Sequence, residues 1–290
     1  MDTTNVPTLQ SSAMILRLHI STYTGRKADK KTREEVVADK GAKSKSAASV
    51  YKSLFAGDAD LDAINTFQAK ARKRIADITV PWSDSGDRLV STRNYFAVAK
   101  ELSSLNTEFD DLVDVFASGY STKISSSAFA LGDLFDRSEY PPVEEIRSKF
   151  KFSYSFEPVP THNDFRVDLQ NEAIETLRSQ YESVSEQRLK AAMQDVWSRV
   201  IDEATRLRDK LIVPEEGSRP RIFETTFDGF KDLIDSLDAL NITRDAELDS
   251  VRVNLKNTLE TVDIKSIRES DEVRNAVRNK MQSVLDKFAM

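Results

Sequence analysis

The chain has 290 residues, 39% hydrophobic and 31% charged, a net charge of −6 and no cysteine. This size allows one large domain or two ordinary ones, and the polarity suits long half-buried helices better than the apolar strands of a doubly covered parallel sheet. A disulfide framework, a thiol nucleophile and a zinc–thiolate site are excluded, and eight glycines with eight prolines are few for a turn-rich β-sandwich or barrel.

Residues 1–12 are polar and aperiodic, and read as a flexible leader without the basic-then-apolar pattern of a secretory signal. The longest apolar stretches, such as Ala13–Leu16, fall far short of the about 20 residues that cross a bilayer. The expected location is therefore the cytoplasm, with no membrane contact. Met14, Leu16, Leu18 and Ile20 then alternate with Ile15, Arg17, His19 and Ser21, a strand period. A second alternation, Phe150, Phe152, Tyr154 and Phe156 against Lys151, Ser153 and Ser155, is the expected partner of the first in a small sheet.

Between these strands the period becomes helical. Ala48, Tyr51, Leu54 and Phe55 share a helical face ending near Gly57. Leu61, Ile64, Phe67, Ala71, Ile75 and Ile78 follow, capped by Asp58 or Asp60 and stopped before Pro81. Residues 81–88 read as a turn-forming loop. Tyr95, Val98, Leu102, Leu105, Phe109, Leu112, Val113 and Phe116 make the next helix, ending at Gly119. Pro141-Pro142 and the segment from Glu157 to Pro160 are the strongest punctuation.

The second of these divides a 1–160 α+β domain from a 161–290 helical domain. Phe165, Leu169, Ala173, Leu177, Tyr181 and Val184 form a stripe. Leu189, Met193, Val196, Val200, Ala204, Leu207 and Leu211 then form an apolar seam for a bundle core or a partner helix. Residues 214–220 read as a loop, and Phe223, Phe227, Phe230, Ile234 and Leu237 as another apolar face. Helices over 246–262 and 270–288 complete the chain. The expected fold is mainly α (α+β): a small antiparallel sheet with helices, then a helical bundle.

Familiar chemistry is scarce. No two glycines are close enough for G-x-G-x-x-G or a Walker A loop, which need glycine for close backbone approach to phosphate. His19 and His162 stand alone, without a nucleophile or further ligands in a recognisable pattern. Asp58, Asp60 and Asp62 alternate like the start of a calcium loop, but Ala63 and Ala69 occupy its glycine and glutamate positions, so helix capping explains them better. Asp110, Asp111 and Asp114 could supply one side of a metal site, although a solvated helix face is the commoner reason for such a cluster. No catalytic residue, cofactor or resident metal is expected.

The one local charge anomaly is the segment 26–46. Arg26, Lys27, Lys30, Lys31, Arg33, Lys40, Lys43 and Lys45 outnumber Asp29, Glu34, Glu35 and Asp39. Tyr23 and Tyr51 flank the segment, so an aromatic ring could stack on a base beside cations. The i,i+4 pairs Lys30–Glu34 and Lys31–Glu35 would partly neutralise the run. A solvated surface is accordingly the first reading, and contact with nucleic acid or an acidic partner the second.

Thr24-Gly25-Arg26-Lys27-Ala28-Asp29-Lys30 after a strand, the segment Pro81 to Leu89, and Phe152 to Pro160 before a long helix resemble one family. It is an uncharacterised family of bacteriophage and bacterial proteins, often encoded beside a MoxR-type AAA+ ATPase and a cobaltochelatase-like von Willebrand A protein. The resemblance covers roughly residues 12 to 215. It implies a phage origin and a partner in an ATPase system, and supplies no catalytic residues. The expected function is a non-enzymatic phage or prophage interaction or assembly protein that presents helical surfaces to itself or to a protein partner. A nucleic-acid-binding accessory of phage recombination or replication, using the basic segment, is the alternative.

Overall fold

The computed structural model describes residues 9–160, 171–213, 220–260 and 262–288. A short helix α1 (Leu9–Ser12) leads into β1 (Ala13–Ser21), followed by β2 (Arg26–Ala28), α2 (Lys30–Asp39) and β3 (Tyr51–Ser53). Then come α3 (Ala59–Asp77), β4 (Val80–Pro81), β5 (Arg88–Ser91), α4 (Tyr95–Ser118), α5 (Tyr120–Leu131), α6 (Val143–Lys149) and β6 (Lys151–Pro158). The remainder is helical: α7 (Asn171–Lys210), α8 (Glu224–Leu240), α9 (Ala246–Glu260), α10 (Ile264–Glu269) and α11 (Asp271–Leu285). The fold is mainly α, with a small antiparallel sheet. Among the described residues no helix is long and apolar enough to cross a membrane.

The strongly periodic helices form as α3, α4, α8, α9 and α11. The seam and the latter part of the stripe before it lie on one 40-residue helix, α7. Phe165, Leu169, the side chain of Ala173 and residues 214–219 lie outside the described residues, as does the leader as far as residue 8. Residues 9–12 are a helical turn rather than leader. The helix expected over 48–55 does not form, because residues 51–53 pair with β2 as a strand.

The larger sheet runs β4-β5-β1-β6, so the two alternating segments are neighbours. On its other side β1 pairs antiparallel with β5, from Ala13↔Ser91 to Leu16↔Arg88. The 81–88 loop turns within the β4–β5 hairpin, where the Trp82 N–H donates to the Asp87 carbonyl at 2.9 Å. The simple alternation puts Ile15 on the polar side, yet Ile15 and Leu16 are both buried. Ile15 stands opposite Leu89, and both join the core that α7 lines. Only at Arg17 and His19 does one face open to solvent.

Two compact units divide the chain. Among the described residues, the bundle unit takes those up to Arg17, Ile75–Ala99 and those from Ser155 on; the insert unit takes Leu18–Arg74 and Lys100–Tyr154. These units interleave along the chain, a different division from a single boundary after residue 160. In the bundle unit α7 packs on α8, α11 and β4, while α9 packs on α8 and α11. Its core joins Val196, Val200, Ala204, Leu207 and Leu211 to Phe227, Phe230 and Ile234 of α8, Val251 and Leu255 of α9, and Val277 and Met281 of α11. Each large side chain so covered contributes about 1.5–3 kcal/mol.

Polar contacts tie up the exposed ends of helices in this unit. The last carbonyls of a helix need external donors, and two arginines serve the end of α3. Arg88 donates to the carbonyls of Ala76 at 3.0 Å and Thr79 at 2.7 Å, and Arg199 donates to Ala76 at 2.9 Å. Burial, and then the neighbouring charge of Arg199, lowers the Arg88 pKa to about 10. At the C-terminal end of α7, the buried Arg274 donates to the Lys210 carbonyl at 2.8 Å.

In the insert unit, α3 and α4 run antiparallel. Arg74 meets Glu101 at 2.5 Å, Lys70 meets Glu108 at 3.4 Å, and the Phe67 and Phe109 rings lie 6.0 Å apart. Phe55 is the hub of an aromatic cluster, 5.5 Å from Phe116, 5.7 Å from Tyr120 and 5.3 Å from Tyr140. This cluster anchors the surface excursion formed by β2, α2 and β3.

Candidate functional site

The excursion begins at a position only glycine suits. Gly25 has φ +64°, and a Cβ there would sit 3.0 Å from Leu61 Cδ2 and 3.4 Å from Phe55 Cδ2. Its carbonyl accepts the Leu54 N–H at 2.7 Å, which closes the base of a two-stranded ribbon. β2 and β3 pair antiparallel as Arg26↔Ser53, Lys27↔Lys52 and Ala28↔Tyr51, and the Asp29 N–H donates to Val50 beyond them at 2.9 Å.

Helix α2 grows directly from this ribbon. The Asp29 carboxylate accepts the Thr32 N–H at 3.0 Å as an N-cap. That backbone hydrogen bond is the main reason its pKa lies below the usual carboxylate value. The helix ends in a Schellman motif: Ala42 N–H donates to Val37 and Gly41 N–H to Ala38, both at 3.0 Å, with Gly41 at φ +63°.

Because directly paired residues point the same way, the ribbon has two distinct faces. One carries Lys27 and Lys52. Lys52 Nζ lies 2.7 Å from Glu139 and donates to the Leu134 carbonyl at 2.7 Å, and Lys27 lies 3.8 Å from Glu139. Burial would lower the Lys52 pKa, but the hydrogen bond and charge of Glu139 outweigh it and raise it. The Tyr140 hydroxyl donates to the Leu54 carbonyl at 2.7 Å, which adds a second anchor. The other face carries Arg26, Ala28, Tyr51 and Ser53, all exposed. Ala28 is too small to cover the ring opposite it, and Tyr51 is 60% exposed.

The cations on this excursion fall into two groups. Lys27, Arg33, Lys40 and Lys52 have acidic neighbours within 4.0 Å. Arg26, Lys30, Lys31, Lys43 and Lys45 are exposed, and among the described residues they make no ion pair. The expected Lys30–Glu34 and Lys31–Glu35 pairs therefore do not close. Glu34 lies instead 3.8 Å from Arg33, and exposed pairs at this spacing gain too little to fix two flexible side chains. From Arg26 to Lys52 nine basic residues stand against four acidic ones, a surplus of five positive charges on a chain of net −6.

The seam lies elsewhere and is already occupied. Met193, Val196, Val200, Leu207 and Leu211 are buried in the bundle core, and Leu189 is half-buried. A partner helix could reach them only by displacing α8 or α11.

The acidic clusters have neighbours of their own. Asp58 accepts the Leu61 N–H at 2.9 Å, and Lys123 Nζ lies 2.7 Å from Asp58 and 2.5 Å from Asp60. Asp114 pairs with Arg147, and Asp110 accepts a hydrogen bond from Asn106 at 3.4 Å. Among the described residues no three His, Asp or Glu converge as a metal site would require. His19 is exposed on β1, and His162 lies outside the described residues.

Of the two tyrosines flanking the basic segment, Tyr23 lies edge-on to Phe55 at 6.3 Å, with Lys149 over its ring. Tyr51 alone of the pair faces outward. Lys52 escaped the sequence reading because it lies beyond the charge run. No protein-family model, curated protein or solved structure matches the chain.

Proposed function

We propose that this chain is a non-enzymatic interaction protein that uses the β2–α2–β3 excursion, rather than the α7 seam, to engage a negatively charged partner. One observation carries the reading. Among the described residues, five exposed cations have no acidic group within 4.0 Å, on a module anchored at its base, while the seam is covered by the chain's own helices. A cluster of this sign on an acidic protein concentrates field locally and steers an anionic partner. Self-association or a protein partner remains compatible with this surface, because the rest of the chain carries the opposite charge. The resemblance of residues 12 to 215 to a phage and bacterial family is the ground for proposing a phage or prophage setting and an AAA+ ATPase system as partner.

The test is a titration with polyglutamate at low and physiological salt, comparing the natural chain with a Lys30→Glu, Lys31→Glu, Lys43→Glu, Lys45→Glu variant. Salt-sensitive binding lost in the variant is expected. Equal behaviour of the two chains would defeat the proposal. The mass of each chain by light scattering, measured alongside, reads self-association.

A further inference from the structure

The outward face of the ribbon has a composition that a purely electrostatic surface does not require. We propose that it is a stacking platform for single-stranded nucleic acid, with Tyr51 taking a base and Arg26, Lys30, Lys31, Lys43 and Lys45 taking phosphates. The inference rests on the reading of the excursion as an anion-facing module and names its partner.

Three features of the face support it. Tyr51 is 60% exposed, so its ring is available to a planar group without any rearrangement. The residue directly opposite it, Ala28, leaves the ring open, and Arg26 is the diagonal neighbour two positions along β2. Diagonal neighbours on one face of a ribbon lie about 7–8 Å apart at Cα, within reach of a long side chain. A phosphate held by Arg26 would therefore lie one side-chain length from a base stacked on Tyr51. Lys30 and Lys31 begin α2 immediately beyond the Asp29–Val50 hydrogen bond, which extends the cationic track past the ring.

The unpaired state of these bases matters. In a duplex the π-faces are covered by neighbouring base pairs, so a lone exposed ring on a ribbon has nothing to stack on, whereas a single strand offers a face at every nucleotide. An acidic peptide would satisfy the lysines but would gain nothing comparable from the ring. The anchored face of the ribbon, held through Lys52, Glu139 and the Tyr140 hydroxyl, fixes the platform so that little ordering is needed on binding.

The experiment uses the full chain and fluorescence anisotropy of a labelled oligothymidylate of about 16 nucleotides, the upper end of a site of this kind. A duplex of the same length and polyglutamate serve as competitors. Tyr51→Ala should weaken oligothymidylate binding roughly 5- to 150-fold, the range of one base–aromatic stack, and leave polyglutamate binding unchanged. Tyr51→Trp should restore it. With up to five phosphate contacts, log K should fall against log salt with a slope as steep as about −3.5. An unchanged affinity in Tyr51→Ala, or equal affinity for duplex and single strand, would overturn the platform. If the four-lysine variant still loses polyglutamate in that case, the anion-facing module survives without the nucleic acid. Absence of binding to every polyanion would remove both. Because Tyr51 is exposed, Tyr51→Ala should retain the natural chain's circular dichroism, which separates lost stacking from lost folding.

Discussion

Replacing Leu207 by alanine probes the assignment of the seam to the chain's own core. Leu207 is fully buried on α7, where the bundle core is closed by α8, α9 and α11. Truncation removes three carbons from a site with no solvent access and leaves a void that packed neighbours refill only in part. For a buried leucine this costs about 2–5 kcal/mol, and for a unit of this size that is roughly 4–20 °C in melting midpoint. Both tryptophans, Trp82 and Trp197, belong to the bundle unit and pack in or against its core. Tryptophan emission therefore follows this unit alone. If the seam is internal, the midpoints of natural chain and variant should both be independent of protein concentration over about a hundredfold range, since no second chain enters the equilibrium. A midpoint that rises with concentration, or a mass by light scattering that falls in Leu207→Ala, would refute the internal assignment and return the seam to an interchain role.

Two further perturbations bear on the insert unit. Gly25→Ala should destabilise the excursion by about 1–3 kcal/mol, combining a left-handed backbone with overlap at Leu61; faster hydrogen exchange at the Leu54 amide would show it, and unchanged protection would contradict it. The unit should also lose stability as pH rises from about 10 to 12. Burial, with a smaller contribution from Tyr23, raises the Tyr120 pKa to about 12 from an ordinary 10.0. The unfolded chain therefore loses that proton first, and the stabilisation, complete below about pH 10, drains as pH climbs toward the folded value. The raised Lys123 pKa, where the hydrogen bonds of Asp58 and Asp60 outweigh burial, acts in the same direction. Tyr120→Phe should flatten the alkaline slope seen by circular dichroism, and an unaltered slope would show that other groups govern it.

Much of the fold was legible because helix-forming faces repeat locally. The spacing of three and four residues from Leu61 to Ile78, from Tyr95 to Phe116 and from Phe223 to Leu237 is a property of adjacent positions, and α3, α4 and α8 appear where it occurs. The alternations at 14–20 and 150–156 likewise identified neighbouring strands of one sheet. The basic surplus at 26–46 and the flanking tyrosines could be counted directly from the residues.

What covers a given face could not. Val200 and Leu207 read alike whether a partner chain or α11 lies over them, and only the packed structure places the chain's own helices there. Ile15 looked solvent-facing by parity but is buried, because β5 and the bundle core supply a cover from distant parts of the chain. The ribbon was missed for a related reason. Strands of three residues, Arg26–Ala28 and Tyr51–Ser53, are too short to display a period, and their stability comes from pairing across the whole of α2 and its following turn. Tyr51 consequently read as part of a helical stripe with Leu54 and Phe55. Tertiary pairing turned Leu54 and Phe55 inward and left Tyr51 in solvent. Composition and period decide which residues seek cover; contacts between segments far apart in the chain decide which of them find it.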